Sequence, residues 1–276
     1  MKSFKLLILF VFLFYSNGQS QVLDTMMKVD NHLLHFKIIE GEGIPILFEA
    51  GNGDDGSVWE PILKKIHEET GATLITYDRA GLGKSSIDTT NISFTREIKN
   101  LKLALARLGY QKKFFLVAHS FGSFYASEFA LINKGNIKGA VFIDVATPCG
   151  LNVEYATRIE EAISQENWAL LNEYKTGLFY VLKEFPEISK YMAKRFISNS
   201  IPLTVVAAGV RNPTKEIGET EQDMINMTNC LKAFGSLPNH QYIPVPKAGH
   251  KVWVQSPEIV INEIAALYKQ VSKTKQ

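Results

Sequence analysis

The chain has 276 residues, 46% hydrophobic and 21% charged, which supports one sizeable buried core and excludes a chain too polar to fold. Lys and Arg number 30 against 28 Asp and Glu, a formal charge of +2 dispersed along the sequence, so no basic stripe points to nucleic acid. Two cysteines, Cys149 and Cys230, exclude a disulfide framework and leave open either one bridge or two buried unpaired thiols.

The amino end differs in kind from the rest. "MKSFK" carries two positive charges, "LLILFVFLFY" is uninterrupted apolar sequence, and "SNGQSQ" is small and polar. That is the layout of a secretory signal over residues 1–20, and the apolar run falls short of the roughly 20 residues that span a bilayer. Removal near Ser20 is expected, with the mature chain secreted or periplasmic; an uncleaved membrane anchor is the alternative. The run has no polar face, which argues against a buried surface helix, and no cysteine follows it as a lipid attachment point. The sequons at Asn91 and Asn226 bear on glycosylation only in a eukaryotic secretory pathway.

After the signal, "HLLHFKIIEG" reads as a strand and "IPILFEAGNG" as a second that ends in a glycine-rich turn. "WEPILKKIHEET" has helical spacing, "ATLITYDRAGLGKSS" is a buried strand running into glycines, and "FTREIKNLKLALARLGY" is an amphipathic helix stopped by Gly109. "KKFFLVAHS" (strand), "SFYASEFALINKG" (helix) and "IKGAVFIDVATP" (strand) follow. Residues 149–200 read as helical throughout and are rich in Phe, Tyr and Trp. Beyond them come the strands "IPLTVVAAG" and "HQYIPVP", with a helix between, and the terminal helix "SPEIVINEIAALYKQV". Strands that are continuously apolar and alternate with helices predict an α/β fold, a mostly parallel sheet covered on both faces. The predicted organisation is one α/β domain over residues 21–276, with a helical cap at about 149–200 lying over the carboxyl ends of the strands.

Between "FFLV" and "FYASEFA" the pattern changes from strand to helix within four residues, with Ser120 at the break. "AHSFG" places Ala118 two residues before Ser120 and Gly122 two after, the small flanks that a strained strand-to-helix elbow requires. Such an elbow lifts a hydroxyl above the sheet at the amino end of the next helix, where free N–H groups favour developing negative charge. A serine nucleophile needs a base. Of six histidines, His32, His35, His67 and His240 read as structural or solvated, and His119 as a packing residue pointing away from its neighbour. His250, in "VPKAGHKVWVQSPE", follows the last strand directly and is the predicted base by position and elimination.

Over roughly residues 29–270 the chain resembles the α/β-hydrolase family of esterases, lipases and related peptidases. The resemblance rests on "FEAGNG", "YDRAGLGKS", "AHSFG" and "AGH" with "SPE", in that order, and "DRAGLGKS" fits the family's Asp-Arg-x-Gly-x-Gly-x-Ser loop at every marked position. It implies that Asp78 and Arg79 hold loops at the rim of the site without being catalytic. Many relatives have His-Gly where this chain has Ala50-Gly51; the resemblance assigns the oxyanion hole to the backbone N–H groups of Asn52 and Phe121. Asp54 and Asp55 fit turn chemistry.

Relatives commonly carry the third catalytic group after the penultimate strand, where this chain has Asn212 in "VVAAGVRNPTKE". An amide cannot stabilise an imidazolium as a carboxylate does. Asp144, at the end of "VFID", is the preferred acid, with Glu216 and Asp223 as alternatives. The resemblance implies a serine hydrolase, carboxylesterase-like, with catalytic Ser120, His250 and Asp144; the aromatic residues of 149–200 point to a small ester or similar acyl substrate with an apolar portion, and without a His and Cys cluster at ligand spacing no metal or cofactor is implied. An acyltransferase on the same fold, or a non-catalytic ligand-binding homologue, are the alternatives. Epoxide hydrolases and haloalkane dehalogenases place a carboxylate at the elbow, which Ser120 argues against.

Overall fold

In the central strands, alternate residues point to opposite faces and both sets are apolar. In β5 (Phe114–His119), Phe114, Leu116 and Ala118 join one hydrophobic cluster while Phe115 and Val117 join the other. Helices must therefore cover both sides of the sheet. The computed structural model describes residues 21–273, and the signal read over residues 1–20 lies outside them.

Eight strands form one sheet in the order β1-β2-β4-β3-β5-β6-β7-β8. The others are β1 (Val22–Val29), β2 (His32–Ile39), β3 (Glu42–Glu49), β4 (Ala72–Tyr77), β6 (Ile137–Ile143), β7 (Leu203–Ala208) and β8 (His240–Val245). β1 and β2 pair antiparallel, as do β2 and β4; every pairing from β4 to β8 is parallel. β1 was not expected from the sequence. It is an edge strand whose residues alternate between exposed and half-buried, so it lacks the apolar run that marks the inner strands.

On one face, α1 (Glu60–Thr70), α9 (Val252–Gln255) and α10 (Pro257–Lys273) bury Trp59, Ile62, Trp253 and Ile264 against Phe48, Phe115 and Val141. The opposite face packs α2 (Phe94–Arg107) and α3 (Gly122–Ile132) through Leu101, Phe124 and Phe129 against Leu47, Leu116 and Phe142. α1 ends at Gly71, whose φ of 63° is the left-handed cap that glycine adopts without penalty.

Between β6 and β7 the single helical stretch expected from the sequence is four helices: α4 (Val153–Ala162), α5 (Gln165–Tyr174), α6 (Thr176–Lys183) and α7 (Phe185–Met192). The three breaks fall where the backbone leaves the helical region, at extended Ile163, at Lys175 with φ of −142° and at Glu184 with φ of −98°. These helices meet the loops at the carboxyl ends of the strands. The Gly177 N–H donates to the Gly81 carbonyl at 3.2 Å, and Phe185 packs edge-on against Phe121 at 5.5 Å. Beyond β7, α8 (Glu221–Gly235) is bonded covalently to the loop after β6 through Cys149–Cys230, with Cα atoms 5.7 Å apart. The open question of bridge or free thiols thus resolves as a bridge.

Candidate active site

Ser120 sits between β5 and α3 with φ of 52°, one of four non-glycine residues of positive φ among those described, and Asp144 is another at 44°. A non-glycine residue in that region is strained and is held there by its surroundings. The elbow is tight because α3 starts against the end of β3: a Cβ on Gly122 would lie 2.4 Å from the Ala50 carbonyl oxygen. Ala118, where many elbows have glycine, turns its methyl into the core and is fully buried.

The three residues expected to act together are brought together. His250 Nε2 lies 3.0 Å from Ser120 Oγ, and His250 Nδ1 lies 2.6 Å from Asp144 Oδ2. Asp144 Oδ1 accepts the Ala208 N–H at 3.0 Å and a hydrogen bond from Arg211. The Asp144 side chain is fully buried, whereas that of His250 is 52% exposed and opens to the site. A carboxylate on Nδ1 fixes the tautomer that leaves Nε2 free to accept the serine proton. The alternatives for the acid are occupied elsewhere: Asp223 closes a capping box with Thr220 and pairs with Arg158, and Glu216 is exposed on a short 3₁₀ turn. Asn212 lines the cavity, while its neighbour Arg211 is the residue that reaches Asp144.

Asn52 and Phe121 flank Ser120 from two loops. Neither N–H donates to a backbone carbonyl among the described residues. The Asn52 peptide is held by Arg79, in the loop-holding role that the resemblance implies for that residue. Arg79, fully enclosed, donates to the Ala50 carbonyl at 2.9 Å and to the Gly51 carbonyl, and the latter belongs to the same planar peptide group as the Asn52 N–H. Lys175 donates to the Gly53 carbonyl at 2.6 Å, and Lys251 pairs with Asp54 at 3.2 Å. Three cations from three segments thus hold one loop, Arg79 and Lys175 through its carbonyls and Lys251 through the Asp54 carboxylate. Asp55 accepts from Ser57 N–H as a turn cap, and Asp78 ties the Gly56 and Lys84 N–H groups and the His35 ring together.

Behind this loop lies a buried ionisable cluster that was not foreseen. Burial pushes the Glu49 carboxyl up to about 8 despite Arg79 at 4.0 Å, and its Oε1 accepts the Tyr77 hydroxyl at 2.7 Å. Burial likewise raises Glu97 to about 7, where Tyr125 donates to it at 2.9 Å. The Arg79 guanidinium stacks 4.6 Å above the Tyr125 ring.

His119 points away from Ser120, packed between His250 and Trp253 with ring centroids at 4.3 and 4.5 Å. Burial holds its ring well below the ordinary histidine range, so it is neutral and its Nε2–H donates to the His250 carbonyl at 3.1 Å. His35 bridges Asp78 and Asp24, His240 donates to the Phe234 carbonyl, and His67, expected on an exposed face, is half-buried with its ring on the Ala72 carbonyl.

A cavity of about 740 Å³ opens over Ser120 and His250. Its apolar wall includes Val145, Leu151, Tyr155, Ile217, Met224 and Met227. Of the aromatic side chains in residues 149–200, Tyr155 alone lines it among the described residues. Trp168 and Phe179 instead pack on each other at 5.5 Å.

This sheet, with a serine at the elbow after its fifth strand, defines an α/β-hydrolase-fold protein. A family model described as "alpha/beta hydrolase fold" matches residues 44–163, and the chain has that fold. It is 26% identical over 245 residues, 88% of its own length and 90% of the relative's, to the uncharacterized protein YqjL of Bacillus subtilis. Among solved structures, a thermophilic esterase from Thermogutta terrifontis superposes with a TM-score of 0.61 at 19% identity, over 92% of this chain and 100% of that one. A putative epoxide hydrolase from Pseudomonas aeruginosa superposes with a TM-score of 0.65 at 12% identity, over 91% and 98%. At such identities the likeness is one of fold.

Proposed function

We propose that the protein is an exported serine hydrolase that cleaves a small ester or similar acyl substrate through an acyl-enzyme. The observation that carries this reading is the hydrogen-bonded series Ser120 Oγ to His250 to Asp144, set at the floor of a cavity by a serine of positive φ. Ser120 attacks the acyl carbonyl while His250 Nε2 takes its proton, and the resulting imidazolium is stabilised by Asp144. The Asn52 and Phe121 N–H groups hold the tetrahedral oxyanion. His250 returns the proton to the departing alcohol, and a water, deprotonated by the same ring, releases the acid and restores Ser120.

The carboxylate of Asp144 on His250 favours catalysis over a non-catalytic homologue, the alternative that rested on Asn212. A serine rather than a carboxylate at the elbow argues against an epoxide hydrolase, which one structural neighbour is described as, and for an esterase, which the other is. The apolar cavity wall, rather than the aromatic helices above it, supports a substrate with an apolar portion. Export is supported by the layout of residues 1–20 and by the Cys149–Cys230 bridge, since such bonds persist in oxidising compartments.

The reading is tested with a series of p-nitrophenyl esters of increasing chain length, on the mature protein and on Ser120→Ala. Turnover by the first and none by the second supports it. Equal background rates from two folded proteins contradict it.

A further inference from the structure

Asp144 uses its two oxygens differently. Oδ2 faces His250, whereas Oδ1 is held by two donors, the Ala208 N–H at 3.0 Å and the guanidinium of Arg211. Arg211 comes from the loop after β7, with only 13% of its side chain exposed, and meets a carboxylate with no exposure at all. A buried carboxylate with one donor can rotate about its Cβ–Cγ bond. With both sides fixed it cannot, and its free lone pair is aimed at His250. The guanidinium also matters as a charge: it stands beyond the carboxylate, on the oxygen away from His250, and offsets part of the field that Asp144 exerts on the imidazole in a poorly screened interior.

We infer that Arg211 is a positioning residue of the site: it fixes the Asp144 carboxylate against His250 and offsets part of the charge that the carboxylate presents to the imidazole. The inference rests on the serine hydrolase reading for its kinetic consequence but not for its electrostatic one.

Other groups around His250 do not take over this role. From its own segment, Lys251 is paired with Asp54, and Lys247 and Gln255 line the cavity. From β5 and the elbow come His119, held neutral by burial, and Ser120. The loop after β3 contributes Asn52 and Asp54. Glu219, at the far wall, accepts from the Tyr155 hydroxyl at 2.5 Å and the Thr214 N–H at 2.7 Å. On the other side of Arg211, Tyr242 is held above its ordinary range, first by burial, and so is uncharged at neutral pH. Arg211 is the only cation in contact with Asp144 among the described residues.

The test compares wild type, Arg211→Gln and Arg211→Lys by the pH dependence of kcat/KM on a short ester and by ¹⁵N NMR titration of the His250 ring. Arg211→Gln is expected to move the acidic limb of the rate profile, and the ring titration with it, upward by about one pH unit, and to lower kcat about tenfold. Arg211→Lys keeps the charge without the planar fork, so the limb stays within about 0.3 pH units while kcat still falls several-fold. A merely structural residue would lower the melting temperature in both variants and move neither limb nor titration. An unchanged limb and titration in a folded Arg211→Gln protein overturns the inference. If that variant does not fold, Arg211→Lys decides alone, and an unaltered kcat overturns the positioning role. If folded wild type shows no turnover and Ser120 does not react with a fluorophosphonate, the hydrolase reading fails; the NMR titration then decides the electrostatic role of Arg211 by itself.

Discussion

Asp144 reaches His250 from the end of β6, with Oδ2 2.6 Å from Nδ1, although 106 residues separate the two in sequence. The carboxylate that meets His250 therefore comes from a strand adjacent to β5, and the loop after β7 supplies Arg211 to hold it.

Asp144→Asn replaces the charge and inverts one face of the hydrogen-bond pattern, since an amide nitrogen on Oδ2's site would meet Nδ1–H with a donor. A loss of kcat on the order of 10⁴ is expected. Glu216→Gln, at an exposed position away from His250, should leave steady-state rates within about a factor of three. A loss below tenfold for Asp144→Asn in initial-rate assays would move the acid role elsewhere.

Gly122→Ala places a methyl group against backbone, 2.4 Å from the Ala50 oxygen, and neither partner is a flexible side chain end. The β3 loop must shift, carrying Asn52 with it. Calorimetry should show a destabilisation of about 1–3 kcal/mol, and kcat should fall more than KM rises if the displaced N–H is the oxyanion donor proposed above.

Glu49 is fully buried, with its carboxyl raised to about 8 from an ordinary value of 4.5. A raised folded-state value means that the folded protein binds the proton more tightly than the unfolded chain. Stability from this group is full below pH 4.5 and is lost as pH rises toward 8. Glu49→Gln keeps a neutral side chain at every pH. Its melting temperature should therefore decline less than that of wild type between pH 5 and pH 8, with an advantage of roughly 1 kcal/mol or more at the alkaline end. Parallel melting curves for the two proteins across that range would show that Glu49 ionises freely.

The Cys149–Cys230 bridge closes a segment of 81 residues that includes α4 to α7 and β7. Replacing both cysteines with serine should cost about 2–4 kcal/mol in denaturant unfolding. Because the neighbouring Gly150 lines the cavity, KM for longer esters should rise as well.

The parts of this molecule that were legible in sequence are those with a local signature. Uniformly apolar strands such as "FFLVAH", the elbow at Ser120 and the glycine-marked loop before His250 each follow from backbone or burial requirements of a few consecutive residues. β1 escaped because an edge strand needs only one buried side and leaves a mixed pattern. The helical stretch after β6 was visible as helix, but its division into four depended on single residues such as Lys175, whose backbone is set by tertiary contacts. Asp144 was preferred over Glu216 and Asp223 from position alone, and its contact with His250 is a product of strand order. Arg79 as a holder of the rim loops was legible from "DRAGLGKS", whereas Lys175 and Lys251 reach the same loop from segments far apart in the chain, and no local pattern records that. The pairing of Arg211 with Asp144 is hidden for the same reason.

The most direct measurement is covalent. The mature protein and Ser120→Ala are exposed to a fluorescent fluorophosphonate, and the adduct is located by peptide mass spectrometry. The arrangement of Ser120 against His250 at 3.0 Å predicts stoichiometric labelling at Ser120 and none in the variant, with melting temperatures that agree within about 3 °C. A folded wild-type protein that takes up no label, or takes it up at another residue, would contradict the assignment of Ser120 as nucleophile.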